Sequence, residues 1–254
     1  MTTENDPHDH TATRDAGSWA APVSRLTRPE VADTDAINKG VEGMSLTGPI
    51  RGFGKLWQKR YEVALAGAAV TPEQVIEVWK AEFRDFWPES NRFHAPLTGI
   101  APGEVGLINA TVPGRLQLST GVFVLFSDEH SFAFMTPEGH LFAAWITFSA
   151  RERDGVTHAS VEIMMRASDP IFKLVLTFGG HRMEDAFWTD TLLALAGRFD
   201  VEDAEPQMTV TCVDRRRQWR HARNVRHNAG MRATLYAMGA PLRYRRGRRR
   251  AGAR

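Results

Sequence analysis

Two histidines and one aspartate have the residue types and spacing that could support proton-transfer chemistry. His181 and Asp185 stand four positions apart in a predicted helix, where a carboxylate could orient the imidazole as a general base requires. His140 follows a predicted tight turn, and an imidazole titrates near neutral pH. These three residues are the candidate catalytic groups. The alternative is that His140 is structural and that residues 181–185 form a solvated helical turn.

Motifs for other chemistry are missing from the sequence. No spacing typical of a Ser-His-Asp triad, a His-x-x-x-His metal site or a nucleotide-binding loop stands out. Cys212 is the single cysteine, so an internal disulfide and a cysteine zinc cluster are both excluded. We therefore predict neither a metal nor a cofactor. The sequence leaves open whether the protein is an enzyme.

The elements that would position these groups are indicated by periodicity. Residues 56–65 alternate roughly between apolar and charged types, which favours a first strand at a sheet edge. Thr71 begins a capping box with Pro72 at the first helical position, which predicts a helix that ends before Pro88. From residue 103 to 168 the period is two, and turn signals divide the stretch into about five antiparallel strands.

A second helix is predicted to close the sheet. Ser168 or Asp169 can cap it, with Pro170 at its start, and Gly179-Gly180 offers a place for a kink. Beyond the glycines, apolar residues recur at helical spacing as far as Phe199. This closing helix would carry His181 and Asp185.

The interior between sheet and closing helix is predicted to be apolar. Segments 142–148 and 159–165 each present one apolar face, which should point inward. Phe and Met side chains suit either a cavity or a packed core. The predicted pocket, for a small hydrophobic molecule, is lined by Phe142, Ile146, Phe148, Val161, Ile163, Met165, Met183, Trp188 and Leu192.

The order strand, helix, antiparallel meander and long C-terminal helix resembles the SRPBCC superfamily, which includes START-like lipid carriers, polyketide cyclases and Bet v 1 allergens. Within it the chain is similar to an uncharacterised plant and actinobacterial family. The similar residues are Phe132, Phe134, Thr136, Gly139, His140, Phe148, Gly155, Val156, Ser168, Pro170 and Leu174. The resemblance implies an α+β helix-grip fold, with a curved antiparallel β-sheet wrapped around a long C-terminal helix and a ligand cavity between them. Ala143 and Ala144 stand where we expect acidic residues in that family.

Charge divides the chain into unlike parts. The 254 residues carry a net charge of +2, but residues 213–254 contain fourteen Arg and one acidic residue, Asp214. That stretch therefore carries +13 and the remainder −11. We predict a disordered N-terminal segment at 1–45, a helix-grip domain at 46–203, and an Arg-rich tail with an amphipathic helix at 204–254.

The Arg-rich tail could contact an anionic membrane surface or nucleic acid, or fold back on the acidic domain. The predicted contacts are Arg215, Arg216, Arg217, Arg220, Arg223 and Arg226. No stretch approaches the roughly 18 uncharged apolar residues of a membrane span, and no secretory signal is visible, so we expect a cytoplasmic protein. The sequence specifies no oligomeric state.

Three functions follow from these features. The first is binding of a small hydrophobic ligand between sheet and helix. The second is a cyclase or hydratase type of reaction in the same pocket, with His140 or with His181 and Asp185 as acid and base. The third is binding of anionic surfaces through the basic tail.

Overall fold

The computed structural model describes residues 15–29, 41–112 and 116–232. Its centre is a curved, eight-stranded antiparallel sheet with strand order β2-β3-β4-β5-β6-β7-β1-β8. The strands are β1 (Leu56–Ala64), β2 (Asn91–His94), β3 (Val105–Val112), β4 (Leu116–Ser127), β5 (Ser131–Met135), β6 (Phe142–Arg153), β7 (Val156–Ala167) and β8 (Gln207–Asp214). The α+β prediction is confirmed, and the stretch 103–168 holds the five expected strands, β3 to β7.

The first helix, α1 (Pro72–Ala81), begins as the sequence predicts. The Thr71 hydroxyl accepts from the Gln74 backbone N–H, and the Gln74 side chain accepts from the Thr71 N–H in return. A 3₁₀ helix, Phe83–Phe86, follows, and the backbone is extended again just before Pro88. Two orphan amides are satisfied by this capping box, which fixes the start of α1.

The closing helix consists of α2 (Pro170–Val175), a π-helical stretch Leu176–Gly180, and α3 (His181–Gly197). The Asp169 carboxylate caps α2 by accepting from two backbone amides. Gly179 has φ +110, which an L-residue rarely adopts, and it interrupts the helix as predicted. The break leaves α3 free to take its own direction across the inner face of the sheet.

Aromatic rings fill the interior between α1 and the inner face. Phe83 lies edge-on to Phe132, Phe134 and Phe148, with ring centroids 5.7, 5.4 and 5.3 Å apart. Phe132 and Phe148 stack at 4.5 Å. Such pairs contribute about 0.5–1.5 kcal/mol each beyond the area they bury. This part of the interior is therefore a packed core.

The outer face of the sheet is also covered. In the segment 1–45, predicted here as disordered, Leu26 and Val41 are buried against Leu107 and Phe123. Val105 and Leu107 of β3 and Phe123 of β4 are apolar, so covering them removes hydrocarbon surface from water. The described parts of the N-terminal segment thus belong to the folded domain.

The sheet also extends past the predicted domain boundary at residue 203. β8 pairs with β1 along most of its length, from Gln207 opposite Glu62 to Asp214 opposite Leu56. The backbone edge of β1 would otherwise expose unpaired amides and carbonyls. β1 is therefore an inner strand, and the prediction of an edge strand is wrong.

Beyond β8 the chain folds back onto the domain as the Arg-rich segment, residues 215–232. A 3₁₀ helix, Trp219–His227, lies where the amphipathic helix is predicted, and residues 229–232 are also helical. The rest of the predicted tail lies outside the described residues. Within the described ranges no helix is both long enough and apolar enough to cross a membrane.

Candidate functional site

A lysine lies inside the apolar core on β1. Alternate residues of this strand point inward, and Lys59 shares the inner face with Tyr61 and Val63. Its neighbours across the sheet are Ile163 on β7 and Val210 on β8. Only 2 % of Lys59 is exposed. A buried ammonium is costly unless it is paired, so its partners define the site.

The partners come from the first turns of α3. The Lys59 Nζ donates to Glu184 Oε2 at 2.8 Å and to Asp185 Oδ1 at 2.6 Å. The Tyr61 hydroxyl donates to the same Asp185 oxygen at 2.6 Å. These four residues are called the Lys59 cluster below. Their charge-assisted hydrogen bonds fix the start of α3 to β1.

The cluster has an excess of negative charge, because two carboxylates face one ammonium when all three are ionised. Burial raises the pKa of Tyr61, and the neighbouring charge of Glu184 and the hydrogen bond to Asp185 raise it further. Tyr61 therefore stays protonated and acts as a hydrogen-bond donor. The site is better suited to receive a neutral or donating group than another anion.

Two polar atoms beside the cluster are buried without a hydrogen-bond partner in the described chain. They are Glu184 Oε1 and His181 Nδ1. The His181 ring lies edge-on to Trp57 at 5.7 Å, and its Nδ1 is 3.7 Å from Glu184 Oε2. Leaving a buried polar atom unpaired costs about 1–3 kcal/mol. The two atoms mark a place where a donor or acceptor from a ligand would be stabilised.

The predicted pairing of His181 with Asp185 is not formed. Asp185 accepts from Lys59 and Tyr61 instead, and the carboxylate nearest to His181 is that of Glu184. His181 and Asp185 both lie on α3, four positions apart. The Asp185 side chain points inward because its carboxylate pairs with the buried ammonium of Lys59 on β1. His181 and Asp185, which are predicted to act together as acid and base, therefore do not pair with each other.

His140 lies in the turn before β6, and its ring is hydrogen-bonded to the backbone of Phe142. Its Nδ1 accepts from the Phe142 amide at 3.1 Å, and burial lowers its pKa to about 4. The imidazole is therefore neutral at pH 7. This arrangement corresponds to the structural alternative for His140, since the Nδ1 lone pair is engaged in shaping the turn.

The residues predicted to line a pocket lie mostly in the packed core. Met183 is an exception, because it is 45 % exposed on α3, and Phe142 is half-buried at the margin of the core. Met183 is the third residue of α3 and lies in its first turn. Buried against the inner face are Ile146, Phe148, Val161, Ile163, Met165, Trp188 and Leu192.

The predicted anionic contacts fall into two groups within the Arg-rich segment. Arg215, Arg216 and Arg217 are exposed in the loop after β8. The others, Arg220, Arg223 and Arg226, lie on the 3₁₀ helix. No group of three His, Cys, Asp or Glu side chains among the described residues could hold a metal ion.

Sequence reasoning missed Lys59, Tyr61 and Glu184. A signal for the first two was present, because the odd-numbered residues from Trp57 to Leu65 are apolar except for Lys59. A lone lysine on an apolar strand face indicates a buried ion pair. For Glu184 no such signal existed, since the residues around it include the polar His181, Arg182 and Asp185.

The fold defines a structural class. A curved antiparallel sheet that grips a long C-terminal helix is a helix-grip fold. No protein-family model matches the sequence, and no curated protein matches it. The closer similarity to a plant and actinobacterial family stays a prediction.

Three solved structures illustrate the similarity of the fold. A START superfamily protein from Mycobacterium smegmatis shares 17 % identity over 58 % of this chain and 98 % of that one, with a TM-score of 0.40. For Ara h 8.0201 the values are 13 %, 57 %, 97 % and 0.41. For the di-domain ARO/CYC StfQ from the steffimycin biosynthetic pathway they are 9 %, 57 %, 51 % and 0.45. These similarities concern the fold alone.

Proposed function

We propose that the protein binds a small molecule with an apolar body between the sheet and α3, and that a hydroxyl or amino group of this molecule contacts the Lys59 cluster. The observation that carries the proposal is the pair of buried, unpartnered atoms Glu184 Oε1 and His181 Nδ1 at the edge of an apolar interior. Hydrophobic sites with a few oriented polar groups are typical of small-molecule binding.

The two unpartnered atoms limit the chemistry of the ligand. Glu184 Oε1 can only accept, so it requires an N–H or O–H from the ligand. A ligand hydroxyl can at the same time accept from His181, or donate to it, according to the tautomer. A ligand carboxylate would meet two carboxylates balanced by a single ammonium, which disfavours fatty-acid-like anions.

Access would be from the side where the closing helix is broken. There the Asp185 side chain is 28 % exposed and that of His181 is 32 % exposed. Gly179 supplies the backbone freedom for α2 to move relative to α3. The opposite end, beside α1, is filled by rings, so the apolar body of a ligand would lie near Trp57, next to His181.

The contacts favour binding over the cyclase or hydratase alternative. The alternative requires a carboxylate, Asp185, that orients His181 as the base. Asp185 instead accepts from Lys59 and Tyr61, and the Nδ1 of His140 is engaged by the backbone. Unpartnered atoms that await a donor fit recognition of a hydroxyl directly.

Calorimetric titration of the full chain with 2-naphthol and with 2-naphthoate tests this proposal, because the two probes share an apolar body. We expect 2-naphthol to bind at least about tenfold more tightly. His181→Phe should weaken 2-naphthol binding about fivefold, the usual worth of one hydrogen bond. The matched control is His130→Phe, at a half-exposed histidine in the turn before β5, which should bind as the unmodified chain does.

Equal affinities for the two probes, or equal effects of the two variants, would contradict the proposal. Native mass spectrometry of protein purified from its own host gives an independent check. A retained apolar molecule with a hydroxyl or amino group supports the proposal, and a retained acid that lacks such a donor contradicts it.

A further inference from the structure

A second concave site lies where the Arg-rich segment meets the chain that leads into β1. It is a cavity of about 580 Å³. Its charged walls are Arg51, Glu138, His221, Arg223, Arg226 and His227, and the site is called the Arg-rich cleft below. None of these residues belongs to the Lys59 cluster.

The wall that carries the arginines is fixed to the domain. Asn224 Nδ2 donates to the backbone carbonyls of Arg51 and Ser168, at 2.8 and 3.0 Å. Asn228, which is 1 % exposed, donates to Asp169 Oδ2 at 2.8 Å. Buried amide contacts of this kind hold one geometry. The cleft is therefore a built feature and not the chance position of a tail.

A glycine permits this close approach. Gly139 has φ +87, and a Cβ at this position would overlap the carbonyl oxygen of His227. The Gly139 carbonyl in turn accepts from the Ala229 amide at 3.0 Å. The turn before β6 and the end of the 3₁₀ helix are thus in backbone contact, which closes one end of the cleft.

The electrostatic balance of the cleft is positive. Three guanidinium groups, those of Arg51, Arg223 and Arg226, form no ion pair with any residue in the described ranges. One carboxylate, Glu138, opposes them, and its Oε2 already accepts from the Ser45 amide. With neutral histidines the cleft carries an excess of two positive charges, which matches a dianion.

The pKa of His221 responds to the same positive charges. Its pKa is lowered first by burial and then by the positive charges of surrounding arginines, among them Arg223 and Arg51. A cleft with low-dielectric walls concentrates such a field and attracts anions.

We propose that the Arg-rich cleft binds the phosphate group of a small molecule or lipid headgroup. Guanidinium groups hold phosphate oxygens through paired N–H donors, and Arg223 and Arg226 of the 3₁₀ helix line the cavity together with Arg51. A cavity of about 580 Å³ has the size of a small-molecule site. This proposal is independent of the ligand proposed for the Lys59 cluster.

The test is calorimetric titration of the full chain with inorganic pyrophosphate at about 0.15 M salt, where loose surface attraction is screened. The double variant Arg223→Ala/Arg226→Ala should bind at least about tenfold more weakly. The matched control, Arg215→Ala/Arg217→Ala, loses the same charge from exposed positions outside the cleft and should change affinity less than about twofold.

Co-sedimentation with phosphatidylcholine vesicles that contain a minority of phosphatidic acid distinguishes the two sources of phosphate. Binding of pyrophosphate that depends on the cleft arginines supports a soluble phosphate ligand. Vesicle binding with the same dependence supports a lipid headgroup. Equal weakening by the two double variants, binding of neither probe, or retention on nucleic acid alone overturns the proposal.

Discussion

Replacing the buried lysine provides the most direct test of how the site is held together. In Lys59→Met the side chain keeps its length and apolar stem but loses the ammonium that pairs with Glu184 and Asp185. The Glu184 side chain is only 5 % exposed, so its carboxylate would be left in the core without a counter-ion. Asp185 keeps its bond to Tyr61 and part of its contact with water.

The expected loss of stability is large. Removal of one partner from a buried ion pair costs about 3–5 kcal/mol, because the remaining charge stays desolvated. The double variant Lys59→Met/Glu184→Gln removes this charge and should recover about 2 kcal/mol relative to the single variant. Lys55→Met, at an exposed lysine just before β1, should change stability by less than about 0.5 kcal/mol.

Urea unfolding followed by far-ultraviolet circular dichroism gives the free energy of unfolding for each variant. Recovery in the double variant separates the ionic term from a general defect in packing, because both variants carry Met at position 59. A loss below about 1 kcal/mol for Lys59→Met, or the same loss in the double variant, would show that the contacts do not carry the energy assigned to them.

The other predictions concern two glycines in turns, the buried His140 and the aromatic core. Gly139→Ala should lose at least about 2 kcal/mol and displace the Arg-rich segment, whereas Gly155→Ala, also at positive φ but in open space, should lose about 1 kcal/mol by the same urea assay. The pKa of His140 is about 4 in the fold and lies below that of the unfolded chain, so stability falls as pH falls. Between pH 7 and pH 5 the loss should be about 2 kcal/mol, and His140→Gln should remove this slope in paired urea titrations. Phe83→Ala should cost about 3–5 kcal/mol, measured in the same way, because it opens a cavity between stacked rings.

Much of the fold could be predicted from sequence because its signals are local. The cap at Thr71, the cap at Asp169 and the break at Gly179 each depend on residues within a few positions, and all three were confirmed. Alternation in β6 and β7 likewise identifies the inner face, because the strand period is two. These features need no knowledge of distant contacts.

The site depended on contacts that sequence spacing does not encode. Lys59 is inside because carboxylates from α3, about half the chain away, reach β1. The polar residues around Glu184 in the sequence predict a solvated turn. Only the contact with Lys59 on β1 shows that the Glu184 side chain is buried. The same holds for β8 and the Arg-rich segment, whose placement follows from a strand edge and a turn elsewhere in the fold.

The break at Gly179 separates two halves of the closing helix that are anchored to different parts of the molecule. α2 is tied to the Arg-rich segment through Asp169, which caps α2 with one oxygen and accepts from Asn228 with the other. α3 is tied to β1 through the Lys59 cluster. The Lys59 cluster that anchors α3 has excess carboxylate, whereas the Arg-rich cleft has excess guanidinium. We therefore expect a phosphate group to be repelled by the Lys59 cluster and attracted to the cleft.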